Sequence, residues 1–413
     1  MRTSPRAVLV ISIVVALDVS AVASAHPHPA PRSTTSALCG PPAWHLAPTA
    51  NHGPETNELL GISATSSSDA WAVGEGFDEQ EGHPVGIAMR WDGDRWTDVP
   101  IEEVGESSGL FATDALSATD AWAVGFRSLP GGMVSRALIE HWDGAAWEVV
   151  SAPVPDPSPL VTTVLTDVLA LAPDDAWAVG RWAPVPDHPP LPLIMHWDGS
   201  GWTVVDAPEF DTWTELNGVA ASGPNDVWFV GSTEVFLERR NAFVERALIE
   251  HWDGDGIEVI RAPHNRRRPL NATRLEAAVS VSPTDAWAVG ATTRPSGTAV
   301  NQSYHWDGER WKRVAVPSPS ESLQYLSDVA ALSSERVWTV GRSLGDRNYR
   351  TFVARWNGER WRQMTSESRR NDSELYGVAV VPGWKFAVGS SWSDRIEGYR
   401  TLGLQRCSTD PQV

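Results

Sequence analysis

Lysine is almost missing from this chain: Lys312 and Lys385 are the only two in 413 residues, and arginine supplies the remaining fixed positive charge. Against 33 basic residues stand 52 acidic ones, a net charge of -19. A chain so acidic lacks the basic footprint that nonspecific binding to nucleic acid or to an anionic membrane requires, so neither is expected as a partner. Cysteine is equally scarce, with Cys39 and Cys407 alone, too few for a disulfide framework or a cysteine-based metal site. The one apolar run, Ala7 to Leu17, is about half of the roughly 20 residues a membrane helix needs. No stretch of useful length carries helical periodicity, which argues against an α-helical fold. Phosphate loops, HExxH and nucleophile elbows are missing too, so no catalytic residue, cofactor or metal is expected.

What the chain does contain is one phrase, written again and again. The string RALIEHWDG begins at Arg136 and returns as RALIEHWDG at Arg246. Around it, DAWAVG occurs at Asp69, Asp120, Asp175 and Asp285, with variants DVWFVG at Asp226, RVWTVG at Arg336 and WKFAVG at Trp384. A second phrase, HWDGxxW or a near copy, follows each except the last, at Arg90, His141, His196, His251, His305 and Arg355. From Trp71 the equivalent positions are Trp122, Trp177, Trp228, Trp287, Trp338 and Phe386, with steps of 48 to 59 residues. A fixed-period repeat of this length means a solenoid, an array or a propeller.

Each unit reads as four short strands. A small-residue strand such as LLGISATS (Leu59 to Ser66) leads through a polar turn to AWAVG, where Trp122 and Val124 face one way and Ala121 and Ala123 the other. ALIEHW is a third strand, and Asp-Gly marks the hairpin into a fourth. Seven such units predict an all-β, seven-bladed β-propeller with four antiparallel strands per blade. The last copy ends at Cys407 without a fourth strand, and CGPPAWHLAP (Cys39 to Pro48) resembles a fourth strand standing alone. The N-terminal strand is therefore expected to close the last blade, and aligning RTLGLQRC with RALIEHWD by apolar positions, rather than letter for letter, puts Cys407 in the tryptophan slot and Arg406 in the histidine slot. A Cys39–Cys407 disulfide would then replace the missing Asp-Gly turn. A basic start, the apolar run and Ala23-Ser24-Ala25 read as a secretory signal over 1–25, followed by a flexible segment 26–38, the propeller 39–407 and a tail 408–413. The mature protein is expected outside the cell, soluble and monomeric, where its cysteines would be oxidised.

The alternation of SxxDAWAVG with HWDGxxW resembles the secreted β-propeller repeat proteins of actinobacteria, similar in architecture to kelch and galactose-oxidase propellers and in repeat style to tectonin-type lectins. The resemblance spans Cys39 to Cys407 and implies a fold, not an activity. The copper site of the oxidases is not implied, because both cysteines are taken by closure.

Two sets of side chains are candidates for chemistry. His141, His196, His251 and His305 could converge on a metal, but Arg90 and Arg355 share their slot, and arginine does not ligate; what the two residue types share is hydrogen-bond donation. The expected acceptors are Asp69, Asp120, Asp175, Asp226 and Asp285, with Glu335 standing in where the sixth unit has Arg336. The repeated tryptophans are expected to be wedges between blades. A ligand, by contrast, is expected where the repeat fails. Trp182, Trp213 and Trp392 lie outside the pattern, as do Arg239, Arg240, Arg246 and the run Arg266, Arg267 and Arg268. Rings beside guanidinium groups suit a glycan, a cell-wall polymer or a protein. The expected function is noncatalytic binding on the face of the variable loops, with an extracellular polysaccharide hydrolase or lyase as the alternative.

Overall fold

The structure, a computed structural model, describes residues 43–78, 82–102, 104–184, 188–208, 210–264, 266–318 and 323–407. The expected leader 1–25, the segment 26–38, Cys39 and the tail 408–413 lie outside the described residues. Seven four-stranded antiparallel sheets stand in a ring. Blades one to six are residues 57–99, 108–150, 161–204, 214–259, 272–314 and 324–363. Blade seven takes three strands from 373–407 and its fourth, His45–Ala47, from the other end of the chain. The protein is an all-β, seven-bladed propeller closed by its N-terminal strand.

The repeated phrases have separate mechanical duties. In each inner strand a leucine (Leu59, Leu110, Leu165, Leu216, Leu275, Leu326 or Leu375) is fully buried and precedes a β-bulge. The bulge presses that strand onto the glycine of AWAVG: a Cβ on Gly74 would lie 1.9 Å from the Glu58 carbonyl. Only glycine tolerates such an approach. The Asp-Gly connection is a four-residue loop rather than a two-residue turn, since Trp91 pairs directly with Trp96. Asp92 accepts the N–H groups of Asp94 and Arg95, each at 2.9 Å, and Gly93 sits at φ +98°, a conformation that glycine adopts without strain.

Between blades the tryptophans interlock. Trp71 of blade one lies 4.8 Å from Trp142 and 4.9 Å from Trp147 of blade two, and Trp122, Trp228 and Trp287 repeat that wedge into blades three, five and six. Phe386 of blade seven completes the ring against Trp91 and Trp96. The two faces of the second strand part as expected: Trp122 and Val124 pack toward blade three, Ala121 and Ala123 toward blade one. Buried carboxylates near the axis add polar staples. Asp114 accepts from Ser63 of blade one and the Ala170 N–H of blade three, Asp167 from the Val219 N–H, and Asp328 from the Val378 N–H.

Closure differs in one detail from the alignment. Gln405, not Arg406, stands opposite Phe386, so Gln405 holds the histidine slot and Cys407 pairs with Trp384, one position beyond the tryptophan slot. The alignment matched apolar residues, whereas the register follows the pairing from the hairpin upward. The first described strand is also clasped from the side. Trp44 is fully buried, donates to the Thr365 carbonyl at 3.0 Å, and its own carbonyl accepts from Glu367 N–H at 3.0 Å.

Candidate functional site

The slot residues of the repeat face inward upon their own blades. His141, His196, His251 and His305 bond through Nε2 to Asp120, Asp175, Asp226 and Asp285 at 2.8, 2.9, 2.6 and 2.8 Å, and Arg90 bonds to Asp69 at 2.9 and 3.0 Å. Each imidazole also lies over the wedge tryptophan of its blade, as His251 does over Trp228 at 4.1 Å. Spread around the ring in this way, the histidines do not converge. Among the described residues no group of three His, Cys, Asp or Glu is placed to hold a metal. Blade six breaks the pattern. No ion pair or hydrogen bond among the described residues joins Glu335 to Arg355, whose Nε has no partner and whose guanidinium rests 5.2 Å from the Trp338 ring. Glu335 is exposed, so its loop leaves the carboxylate in water instead of directing it inward.

A cleft opens between blades four and five on the face of the variable loops. Its volume is about 960 Å³. The floor is apolar, with Phe210, Val235, Leu248, Ile260 and Val300, while the walls carry Arg246, Arg261, Arg266, Arg268, Arg294 and Arg313, and no Asp or Glu is among the lining residues. Six guanidinium groups around one hollow, in a chain of net charge -19, concentrate positive potential where a low-dielectric wall focuses it. A neighbouring hollow of about 640 Å³ shares Arg294, Val300 and Arg313, so the cleft continues outward along blade five.

The segment between the two blades, residues 260–271, is pinned at both ends. Tyr304 donates to the Pro263 carbonyl at 2.7 Å; burial pushes this phenol up to about 12. Arg246 donates to the Asn271 carbonyl at 2.7 Å and to that of Pro269. The same device holds the corresponding segment in blade two, where Arg136 donates to the Pro159 carbonyl, so Arg246 is chiefly a clamp. Between these anchors, Arg266 and Arg268 are exposed and point their charge at the cleft. His264 lines the same wall; partial burial first, then Arg261, Arg266 and Arg246, hold it below the ordinary imidazole range. A neutral imidazole costs little beside arginines and still offers one donor and one acceptor.

The other candidates are scattered. Arg239 and Arg240 sit exposed at the tip of the long blade-four hairpin, in a short 3-10 turn. Trp213 is 47% exposed on the segment before blade four, where its carbonyl accepts from Glu234 N–H. Trp182 packs against the core shared by blades two and three, and Trp392 packs against Tyr399 at 5.3 Å. None of these five lines the cleft. Arg267, in the same run as its neighbours, is not among the lining residues either. Arg261, Arg294, Arg313 and Tyr304 do line it and were missed, because they occupy ordinary strand and linker positions; only the excess of arginine from 261 to 268 marked the neighbourhood.

Known proteins share the shape without the sequence. No family model matches the chain, and no curated protein does. Among solved structures, YCF48 bound to a D1 peptide covers 88% of this chain over 98% of its own, at 14% identity and TM-score 0.50. A PL25-family ulvan lyase bound to a GlcA(1-4)Rha3S glycan covers 84% over 93% of its own, at 10% identity and TM-score 0.54. At such identities the likeness shows a common propeller fold.

Proposed function

We propose that this protein is an exported, noncatalytic binding propeller whose ligand is an acidic glycan or cell-wall polymer, held by the arginine cleft between blades four and five. The observation that carries the reading is charge: six arginines and no carboxylate line one hollow on a strongly acidic molecule. Sulfate and carboxylate groups accept paired N–H bonds from guanidinium, each charge-assisted bond contributing about 1.5–3 kcal/mol. The continuation of the cleft beside Arg294 and Arg313 gives room for a chain rather than a single small anion. The fold itself does not choose, since propellers of this shape include a peptide-bound protein and a lyase. The cleft's charge favours an anionic chain.

Export, a monomeric state and kinship with the secreted actinobacterial repeat proteins belong to the same proposal. So does the Cys39–Cys407 disulfide. Continuing the register from His45 opposite Gln405 brings position 43 to Cys407, and the four residues back to Cys39 span at most about 14 Å. Ala7 to Leu17 and the small residues at 23–25 support cleavage after a leader.

The test uses heparin as a sulfated, carboxylated probe. Mature protein is expected to be retained at low salt and released as ionic strength rises. Arg266→Ala with Arg268→Ala is expected to weaken retention at least about tenfold with unchanged thermal unfolding, because both side chains are exposed. Retention that ignores salt, or that survives the double substitution, would overturn the reading.

A further inference from the structure

Four of the five tyrosines in this chain gather at one place. Tyr325, Tyr349, Tyr376 and Tyr399 come from blades six and seven, toward the strand ends that lie on the same face as the arginine cleft. The architecture does not demand them. Tyr325 precedes the invariant inner-strand leucine, where other blades have Glu58, Gly109, Val164, Glu215, Arg274 and Glu374; Tyr376 is the bulge residue, elsewhere Leu60, Phe111, Thr166, Asn217, Glu276 and Ser327. All four are half-buried, unlike Tyr304, which is 3% exposed.

Their arrangement is held from behind. The guanidinium carbon of Arg342 lies 4.8 Å from the Tyr325 ring and 5.2 Å from that of Tyr349, and Arg342 donates to the buried Glu374. Tyr376 donates to the same carboxylate oxygen, Glu374 Oε2, at 3.0 Å. Asp372 fixes the next edge: its carboxylate accepts the Tyr349 N–H at 2.6 Å and its carbonyl the Trp392 N–H at 2.9 Å. Trp392 then meets Tyr399 at 5.3 Å with planes 81° apart. Ring positions are thus set by buried charge and backbone, while the hydroxyls of Tyr325, Tyr349 and Tyr399 take no hydrogen-bond partner among the described residues.

The chemistry selects a ligand by exclusion. Arg342 already covers one face each of Tyr325 and Tyr349, and Glu374 and Asp372 are engaged by Arg342, Tyr376 and the Tyr349 N–H, so an incoming cation finds these partners taken. An anion meets Glu58, Glu374 and Asp372, which outnumber the single guanidinium. A purely apolar ligand would strip water from hydroxyls and carboxylates without replacing their bonds. A neutral ring carrying C–H faces for the aromatic planes and hydroxyls for the phenols meets none of these costs. We infer that the tyrosine cluster of blades six and seven is a second binding site, one that takes an uncharged sugar residue of a glycan. It stands independently of the arginine cleft.

The experiment is affinity electrophoresis of the full mature protein in native gels cast with neutral polysaccharide: mixed-linkage β-glucan, xylan, mannan or starch. At least one of the four is expected to retard the protein. Tyr349→Ala and Trp392→Ala should each weaken that retardation at least about fivefold, and Tyr349→Phe by less, since it keeps the ring. Melting curves accompany each variant; should Trp392→Ala unfold, the comparison of Tyr349→Ala with Tyr349→Phe decides. Arg266→Ala with Arg268→Ala should leave these gels unchanged while losing heparin, which separates this site from the cleft. Unretarded migration in all four gels, or equal retardation of Tyr349→Ala and the parent protein, would sink the inference.

Discussion

At the scale of single residues, the twin phrases RALIEHWDG hide an expensive pair. Glu140 and Glu250 are fully buried, and neither carboxyl has a hydrogen-bond partner among the described residues. Burial pushes both from the ordinary 4.5 up to about 8, so at neutral pH they are held as the acid. A group whose folded pKa is raised gives its full stabilising contribution below the unfolded pKa and loses it as pH rises through the folded value. Thermal unfolding should therefore fall between about pH 4.5 and 8. Glu140→Gln with Glu250→Gln should raise the melting temperature at pH 8 and change it little at pH 4.5; equal shifts at both pH values would show that the carboxyls do not titrate with folding. His264 makes the opposite case. Burial first, then the charges of Arg261, Arg266 and Arg246, lower its pKa in the cleft, and a bound polyanion offsets the part that comes from the arginines. Binding should take up a proton, so affinity for heparin should rise as pH falls from 8 to 5, and His264→Gln should flatten the profile.

Among elements, the wedge between blades is where stability concentrates. Trp287 is fully buried against Trp356 and Trp361 of the next blade. Trp287→Ala should cost about 3–5 kcal/mol, the usual range for removing a large core ring, read as a lower denaturation midpoint with an unchanged slope. An exposed hairpin tip behaves otherwise. Phe236 and Phe243 pair at 5.0 Å yet are 45% and 59% exposed, and they sit on the hairpin that carries Arg239 and Arg240. Replacing Phe243 by serine should move the midpoint by less than about 1 kcal/mol, since a half-exposed ring leaves little cavity behind. The repeat and its departures thus sort elements into those that hold the ring and those that are available to a ligand.

For the molecule as a whole, closure is the weak point of any ring, because the first and last strands are joined by no peptide. The seventh blade relies on three backbone pairs between 45–47 and 403–405, on Trp44 and on the proposed disulfide. Cys39→Ser should lower stability by about 2–4 kcal/mol in oxidising buffer and by almost nothing after reduction; equal stability of the two proteins in oxidising buffer would mean that no such bond forms. Seven blades, four strands each and the borrowed strand were legible in the sequence. A strand, its bulge glycine and its Asx turn are local, and sevenfold repetition let each copy correct the reading of the others. Blade seven was misread by one position because it has no Asp-Gly to anchor its register. The site was legible only at Arg246, Arg266 and Arg268. Arg246, Arg261, Arg294 and Arg313 are spread along the chain and meet because blade four packs against blade five; likewise four tyrosines between 325 and 399 meet only across two blades. Local pairing and turn chemistry are written into each repeat, and the sequence alone determined the ring. Which departures from the repeat face a common hollow depends on how neighbouring blades stack and how their linkers are pinned, and that was decided by the tertiary structure.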